Sequence, residues 1–233
     1  MPHLETITIR TCTLPICFTL LLSLVGCSKE PIASEIGCKT SRIPCLYETS
    51  IVELETERGA VVLQLMGKDA PLTAGNFADL VKRGVYNGTT FHRVIRSPSP
   101  FVVQGGDPGT ADPKVPVTTH GTGNFIDPAT GEARFIPLEF KLKSSHELVY
   151  GQELSASSLL TKSLLTHDRG SVAMARSADP NSASAQFYIA LKPLPELDGR
   201  YAVFGKVIRG MNVVDRLQQG DKLIRAKLLT INP

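Results

Sequence analysis

The chain has 233 residues, room for one large domain or two small ones, and its 42% hydrophobic against 20% charged content excludes a mostly disordered polypeptide. Twenty-five Lys and Arg against 22 Asp and Glu leave a net charge of +3 with both signs scattered, which argues against a dedicated nucleic-acid binder. No apolar run reaches the roughly 18–20 residues that a membrane-spanning helix needs.

Taken in chain order, residues 14–25 (LPICFTLLLSLV) form a short apolar stretch preceded by Arg10, with the length of a secretory signal core. It runs into Leu24-Val25-Gly26-Cys27 and then Ser28-Lys29. That order resembles the bacterial lipobox, which implies that Cys27 is acylated and becomes the mature N-terminus. The alternative is a plain secretory signal with a chance Cys. Acyl chains at about 0.8 kcal/mol per buried CH₂ would anchor the chain firmly. Residues 1–26 are thus expected to be a lipoprotein signal peptide and residues 27–50, rich in Ser, Pro, Lys and Glu, a lipidated N-terminus and linker. Residues 51–233 are the expected globular domain. All five cysteines (12, 17, 27, 38 and 45) precede it, so thiolate metal sites and a nucleophilic Cys are not expected there. Cys38 and Cys45 either pair across a short loop in an oxidising compartment or stay free thiols.

Residues 51–66 read as two alternating strands around a turn at Glu57-Arg58-Gly59. Residues 71–84 change period: Phe77, Leu80 and Val81 make an i, i+3, i+4 face, Lys82 and Arg83 fill the last turn, and Gly84 suits the position after a helix. An amphipathic helix here should cover an apolar opening of the sheet. Further strands are expected at 90–95, 101–104, 171–175, 186–191 and 202–207, a second helix at 211–219, and a last strand at 223–231. Residues 107–169 are the least regular, with a short strand possible at 136–140. Many short strands with two helices suggest a mostly β fold, a closed antiparallel barrel capped by two α-helices.

The search for chemistry begins with negatives. The five His are dispersed, and no GxSxG, P-loop or GxGxxG occurs. What stands out is polar residues set in aromatic strand sequence: Arg93 in FHRVI, Gln104 at the end of FVVQGG, Gln186 in QFY. On strands Gln186 and Tyr188 share a face, as do Phe91, Arg93 and Ile95. An Arg cannot lose its proton and so can only donate hydrogen bonds or supply charge. An Arg, two amides and several aromatics with no nucleophile suit a reaction that moves no proton.

Four runs, in order, resemble the cyclophilin-type peptidyl-prolyl cis-trans isomerases: APLTAGNFADLVKRGVYNGTTFHRVI, FVVQGGDP, GSVAMARSADPNSASAQFYIAL and LDGRYAVFGKVIRGMNVVD. The wording MARS…PNSASAQF is similar to the bacterial branch. The resemblance implies a cyclophilin-like eight-stranded barrel, no cofactor and no metal. It implies Arg93 as the catalytic arginine and Gln104 as the amide donor. It also implies substrate binding by His92, Phe101, Val102, Ala175, Arg176, Gln186, Tyr188, Leu197 and Tyr201. Several positions depart from the family pattern: Tyr188 replaces the Phe on the floor of the proline pocket, Tyr201 replaces a His, and Val102 stands where many members have Met. Arg176 stands where animal members usually have Asn. Glu196 replaces the Trp of cyclosporin-sensitive members, which implies weak cyclosporin binding.

The expected activity is rotation of X–Pro bonds in exported proteins, by a monomer tethered through Cys27 on the extracytoplasmic side of a membrane, the thylakoid lumen being one such place. Its partners would be proline-containing segments of exported polypeptides, with no nucleic acid. The main alternative is a module that holds proline segments of a partner, with isomerisation incidental.

Overall fold

The computed structural model describes residues 37–38, 43–154 and 163–230. Residues 1–36, and with them the expected signal peptide and Cys27, lie outside the described residues.

The first hairpin follows from alternation. Strand β1 (Thr49–Thr56) buries Val52 and Leu54, and β2 (Gly59–Met66) buries Val61, Leu63 and Leu65, so one face of each enters the core. The turn between them is tied by Thr56 Oγ1, which donates to Gly59 O and accepts from Arg58 N. Helix α1 (Pro71–Lys82) starts with Pro at its first turn, where the missing N–H costs nothing, and ends before Gly84 at φ +71°. Its open N-terminus is capped from far away: the buried Glu139 carboxylate accepts from the backbone N of Leu72 and Thr73 at 3.0 and 2.8 Å. Ten of its twelve residues are buried, so the expected amphipathic helix is instead almost enclosed. Part of the cover comes from the segment before β1, which packs Ile43 and Leu46 on the core. A Cβ on Gly75 would lie 2.1 Å from Pro44 O, so this crossing requires glycine. The expected linker therefore meets the domain before residue 51, and within it Cys38 and Cys45 form a disulfide.

The remaining elements are β3 (Arg93–Val94), β4 (Val102–Gly105), β5 (Glu139–Lys141), β6 (Leu148–Tyr150), β7 (Ser171–Met174), β8 (Phe187–Ala190), β9 (Val203–Arg209), α2 (Met211–Val214) and β10 (Leu223–Leu229). Eight strands form one antiparallel sheet in the order β10-β1-β2-β9-β7-β8-β4-β3, while β5 and β6 pair separately. The expected closed barrel is corrected here: the sheet is an open half-barrel. Its two edge strands do not form a ladder, and a single bridge, Thr90 to Lys222, joins the ends. The reason lies in β3. It has two residues where the sequence suggested six: Phe91 N donates to Asp221 O instead of joining the β3–β4 ladder, and Thr90 only bridges Lys222.

The second helix is also shorter than the expected 211–219. Arg96 Nη2 donates to the carbonyls of Val214 and Leu217, and Asp221 takes the N–H of Gln218. Those groups would otherwise continue the helix.

The sheet has two apolar faces. Inside, Phe77 meets Tyr86, Phe187 and Phe204 at 4.9–5.2 Å between ring centroids. Outside, Val102, Ala173, Tyr188, Ala190, Leu194 and Val203 form a smaller cluster. Alternation on β4, β7 and β8 divides the two sets: Val103, Val172 and Phe187 go in, while Val102, Ala173 and Tyr188 go out.

Candidate active site

The outer cluster is built on a row of cross-strand neighbours. Arg93 on β3 faces Gln104 on β4, Gln104 faces Tyr188 on β8, and Tyr188 faces Ala173 on β7. Antiparallel register thus sets a cation, an amide, an aromatic ring and a small residue side by side. Above this row lies a slot of about 330 Å³ lined by Arg93, Phe101, Val102, Gln104, Ala175, Arg176, Tyr188, Leu197 and Tyr201. Nine of the eleven catalytic and binding residues expected from sequence therefore meet at one hollow.

Arg93 is exposed and makes no ion pair among the described residues. Its Nη1 donates to Gln104 Oε1 at 3.1 Å. Gln104 Nε2 in turn donates to Gln186 Oε1 at 3.1 Å. Gln186 Nε2 donates to the carbonyls of Gly121 and Gly123 at 3.0 and 2.9 Å. These glycines are fixed by the buried Asp107 carboxylate, which accepts from the N of both. A Cβ on Gly123 would lie 2.0 Å from Asp107 Oδ1, so only glycine fits there. The chain of bonds leaves Gln104 one orientation and presents the remaining guanidinium donors to the slot.

Two expected residues lie elsewhere. Gln186 lines a second hollow of about 320 Å³, which shares Gln104, Ala175 and Arg176 with the slot and is otherwise walled by residues such as Thr122, Phe135 and Ser177. His92 reaches neither hollow; it packs beneath the loop at Gly121, where a Cβ would come within 3.1 Å of its ring. Burial holds its imidazole below the ordinary histidine range. The expected shared face of Phe91, Arg93 and Ile95 does not form either. Phe91 is buried in the inner core while Arg93 is exposed, because the N–H of Phe91 goes to Asp221 O outside the ladder and the alternation starts only at β3.

Arg176 lines the slot with its charge already used. Its Nε and Nη2 donate to Arg200 O, its Nη1 donates to Ser177 O and Ala178 O, and Nη2 also bonds Glu153. The guanidinium lies 4.8 Å from the Tyr201 ring centroid. It acts as a strut between the two hollows.

Three residues escaped sequence reading. Glu153 reaches Arg176 from the irregular region. His167 and Asp198 pair beneath the slot, with His167 Nδ1 2.7 Å from Asp198 Oδ1 and Nε2 2.9 Å from the Tyr188 hydroxyl. A pair 31 residues apart leaves no local spacing to detect. The one available signal was Tyr188 itself, since a buried phenol needs a partner.

Comparison with known proteins agrees with the geometry. Residues 51–229 match the family model "Cyclophilin type peptidyl-prolyl cis-trans isomerase/CLD". A Synechocystis sp. protein described as a candidate thylakoid lumen peptidyl-prolyl cis-trans isomerase is 36% identical over 200 residues, 82% of this chain and 49% of its own length. The chain thus spans about half of that relative. Mouse peptidyl-prolyl cis-trans isomerase-like 1 is 35% identical over 174 residues, 75% of this chain and 82% of its own. Among solved structures, the Cryptosporidium parvum cyclophilin type peptidyl-prolyl cis-trans isomerase superposes with a TM-score of 0.57 at 24% identity, covering 80% of this chain and all of that one. The last likeness shows the mostly β, cyclophilin-like fold.

Proposed function

The chain belongs to the cyclophilin-type peptidyl-prolyl cis-trans isomerases, and from that premise we propose that it speeds X–Pro rotation in exported polypeptides, with Arg93 as the catalytic cation of the slot. The observation that carries this reading is a guanidinium, without an ion pair among the described residues, that lines one hollow with Phe101, Val102, Tyr188 and Leu197 and is oriented by a neighbouring amide.

Resonance gives the peptide C–N bond a rotation barrier of about 18–20 kcal/mol, and X–Pro bonds exchange over roughly tens to hundreds of seconds. Whatever localises the nitrogen lone pair lowers that barrier. Arg93 would donate to the pyramidalising proline nitrogen, or hold the substrate carbonyl while the other side turns. Its interaction must be stronger in the twisted state than in either planar one. No proton changes hands, which fits a site whose central group cannot give one up.

An acceleration of about 10⁵ requires roughly 7 kcal/mol. One charge-assisted hydrogen bond supplies about 1.5–3 kcal/mol. The rest has to come from clamping the prolyl ring between Phe101, Val102, Leu197 and the Tyr188 ring, and from fixing the flanking backbone against Ala175. The second hollow, sharing Gln104 and Ala175 with the slot, has room for a side chain that precedes the X–Pro pair.

The extracytoplasmic setting is supported by the apolar N-terminal run and by the relative described as lumenal. Cys27, in its lipobox-like context, is the proposed acylation site. We also place the chain in the bacterial branch on the wording of residues 174–187, although overall identity to the bacterial and the mouse relative is nearly equal. A proline-peptide isomerisation assay tests the activity, with an Arg93 variant beside it. Mass analysis of the N-terminal fragment tests the anchor: diacylated Cys27 supports it, and cleavage elsewhere with an unmodified Cys27 contradicts it.

A further inference from the structure

The floor of the slot carries a hydroxyl-bearing ring on its apolar side, beside Phe101, Val102 and Leu197. Tyr188 is 4% exposed, and its ring faces the hollow between Val102 and Tyr201. A phenol hydroxyl swung toward that hollow would meet the prolyl ring and take its volume. In the structure the hydroxyl points the other way, to His167 Nε2 at 2.9 Å.

His167 is 2% exposed and has every polar group engaged. Its backbone N and its Nδ1 both reach Asp198 Oδ1, at 2.8 and 2.7 Å, and its carbonyl accepts from Leu194 N. A carboxylate oxygen only accepts, so Nδ1 carries a proton, and the tautomer that places it there alone gives Nε2 as an acceptor for the Tyr188 O–H. Asp198 follows directly on Leu197, which lines the slot, and Leu197 O accepts from the N of Tyr201, which lines it too. One imidazole therefore ties the floor to the loop that carries two walls.

We infer that His167, oriented by Asp198, is a positioning residue for the proline slot: it draws the Tyr188 hydroxyl out of the hollow and keeps the floor apolar. The inference rests on the slot being the place where the prolyl ring binds. It assigns no chemistry to His167, which does not line the slot. It also explains how a tyrosine serves where the family pattern has a phenylalanine.

The test is a double-mutant comparison read as separate kcat and KM for a proline peptide. In the wild-type background, His167→Leu leaves the phenol without its acceptor and should raise KM about fivefold or more, with kcat changing less than about twofold. In the Tyr188→Phe background there is no hydroxyl to hold, and the same His167→Leu change should move KM by less than about twofold. An equal KM penalty in both backgrounds would show that His167 supports the fold alone and would overturn the inference while leaving the isomerase reading intact. Loss of activity on His167→Leu through unfolding would be seen by circular dichroism. In that case nitrogen-detected NMR of the unaltered protein at neutral pH decides: an Nδ1–H tautomer with a bare Nε2 supports the assignment, and a protonated Nε2 overturns it.

Discussion

Arg93 and Gln104 face each other across the β3–β4 ladder, and the amide oxygen of Gln104 accepts from Arg93 Nη1 at 3.1 Å. An exposed arginine ordinarily samples many rotamers; this one is held by an amide that is itself held by Gln186.

Gln186 should therefore matter to a reaction it does not touch. Gln186→Ala is expected to lower kcat/KM by about tenfold, mainly in kcat, because Gln104 can then flip and release Arg93. Peptide kinetics with kcat and KM separated checks this, and an effect confined to KM would place Gln186 in ground-state binding alone.

The loop under Gln186 depends on a backbone contact. Gly123→Ala puts a methyl group into the Asp107 carboxylate, so the loop has to move. The expected outcome is a folded protein with lowered turnover and faster amide exchange at residues 121–123, measured by NMR or mass spectrometry.

Acid stability should report on Asp79. Burial alone would raise its pKa, but hydrogen bonds from Arg134 and Arg83 outweigh it and hold the carboxyl below its ordinary value of 3.8. Between the two pKa values the unfolded chain binds more protons at this site, so its contribution is present above pH 3.8 and is lost as pH falls through the folded value. Asp79→Asn is expected to cost about 1–3 kcal/mol near neutral pH and to flatten the stability profile below about pH 4. Denaturant unfolding across that range checks both.

Glu139 caps α1 from another part of the chain, and its removal should act on stability rather than chemistry. Glu139→Ala leaves the N–H groups of Leu72 and Thr73 without acceptors in a buried place, a loss of about 2–4 kcal/mol. Thermal melting tests the size, and assays on the folded fraction should show near-normal turnover, since the slot lies on the other face of the sheet.

Much of this arrangement was legible in the sequence, for identifiable reasons. The β1–β2 hairpin and α1 announced themselves through clean periods of two and 3.6, and Gly59 and Gly84 marked their ends. The slot residues could be read because the family pattern places them on four separated motifs. What could not be read depends on contacts distant in sequence. Closure of the sheet failed ahead of β3, where Phe91 N bonds Asp221 O, 130 residues away, and α2 stopped because Arg96, more than 100 residues away, takes its carbonyls. The partner of the Tyr188 hydroxyl, His167 Nε2 at 2.9 Å, lies 21 residues away, and nothing local to Tyr188 reveals it. Arg176 lines both hollows as expected, but the carbonyls of Ser177, Ala178 and Arg200 that occupy its donors could not be read from spacing.

The central claim is that one oriented guanidinium lowers the barrier to X–Pro rotation. Side-by-side isomerisation of a proline peptide by the wild-type protein and by Arg93→Ala tests it most directly, with circular dichroism to verify folding. The account predicts a folded variant whose kcat/KM falls by about 100-fold or more; a folded Arg93→Ala protein that turns over peptide near the wild-type rate would contradict it.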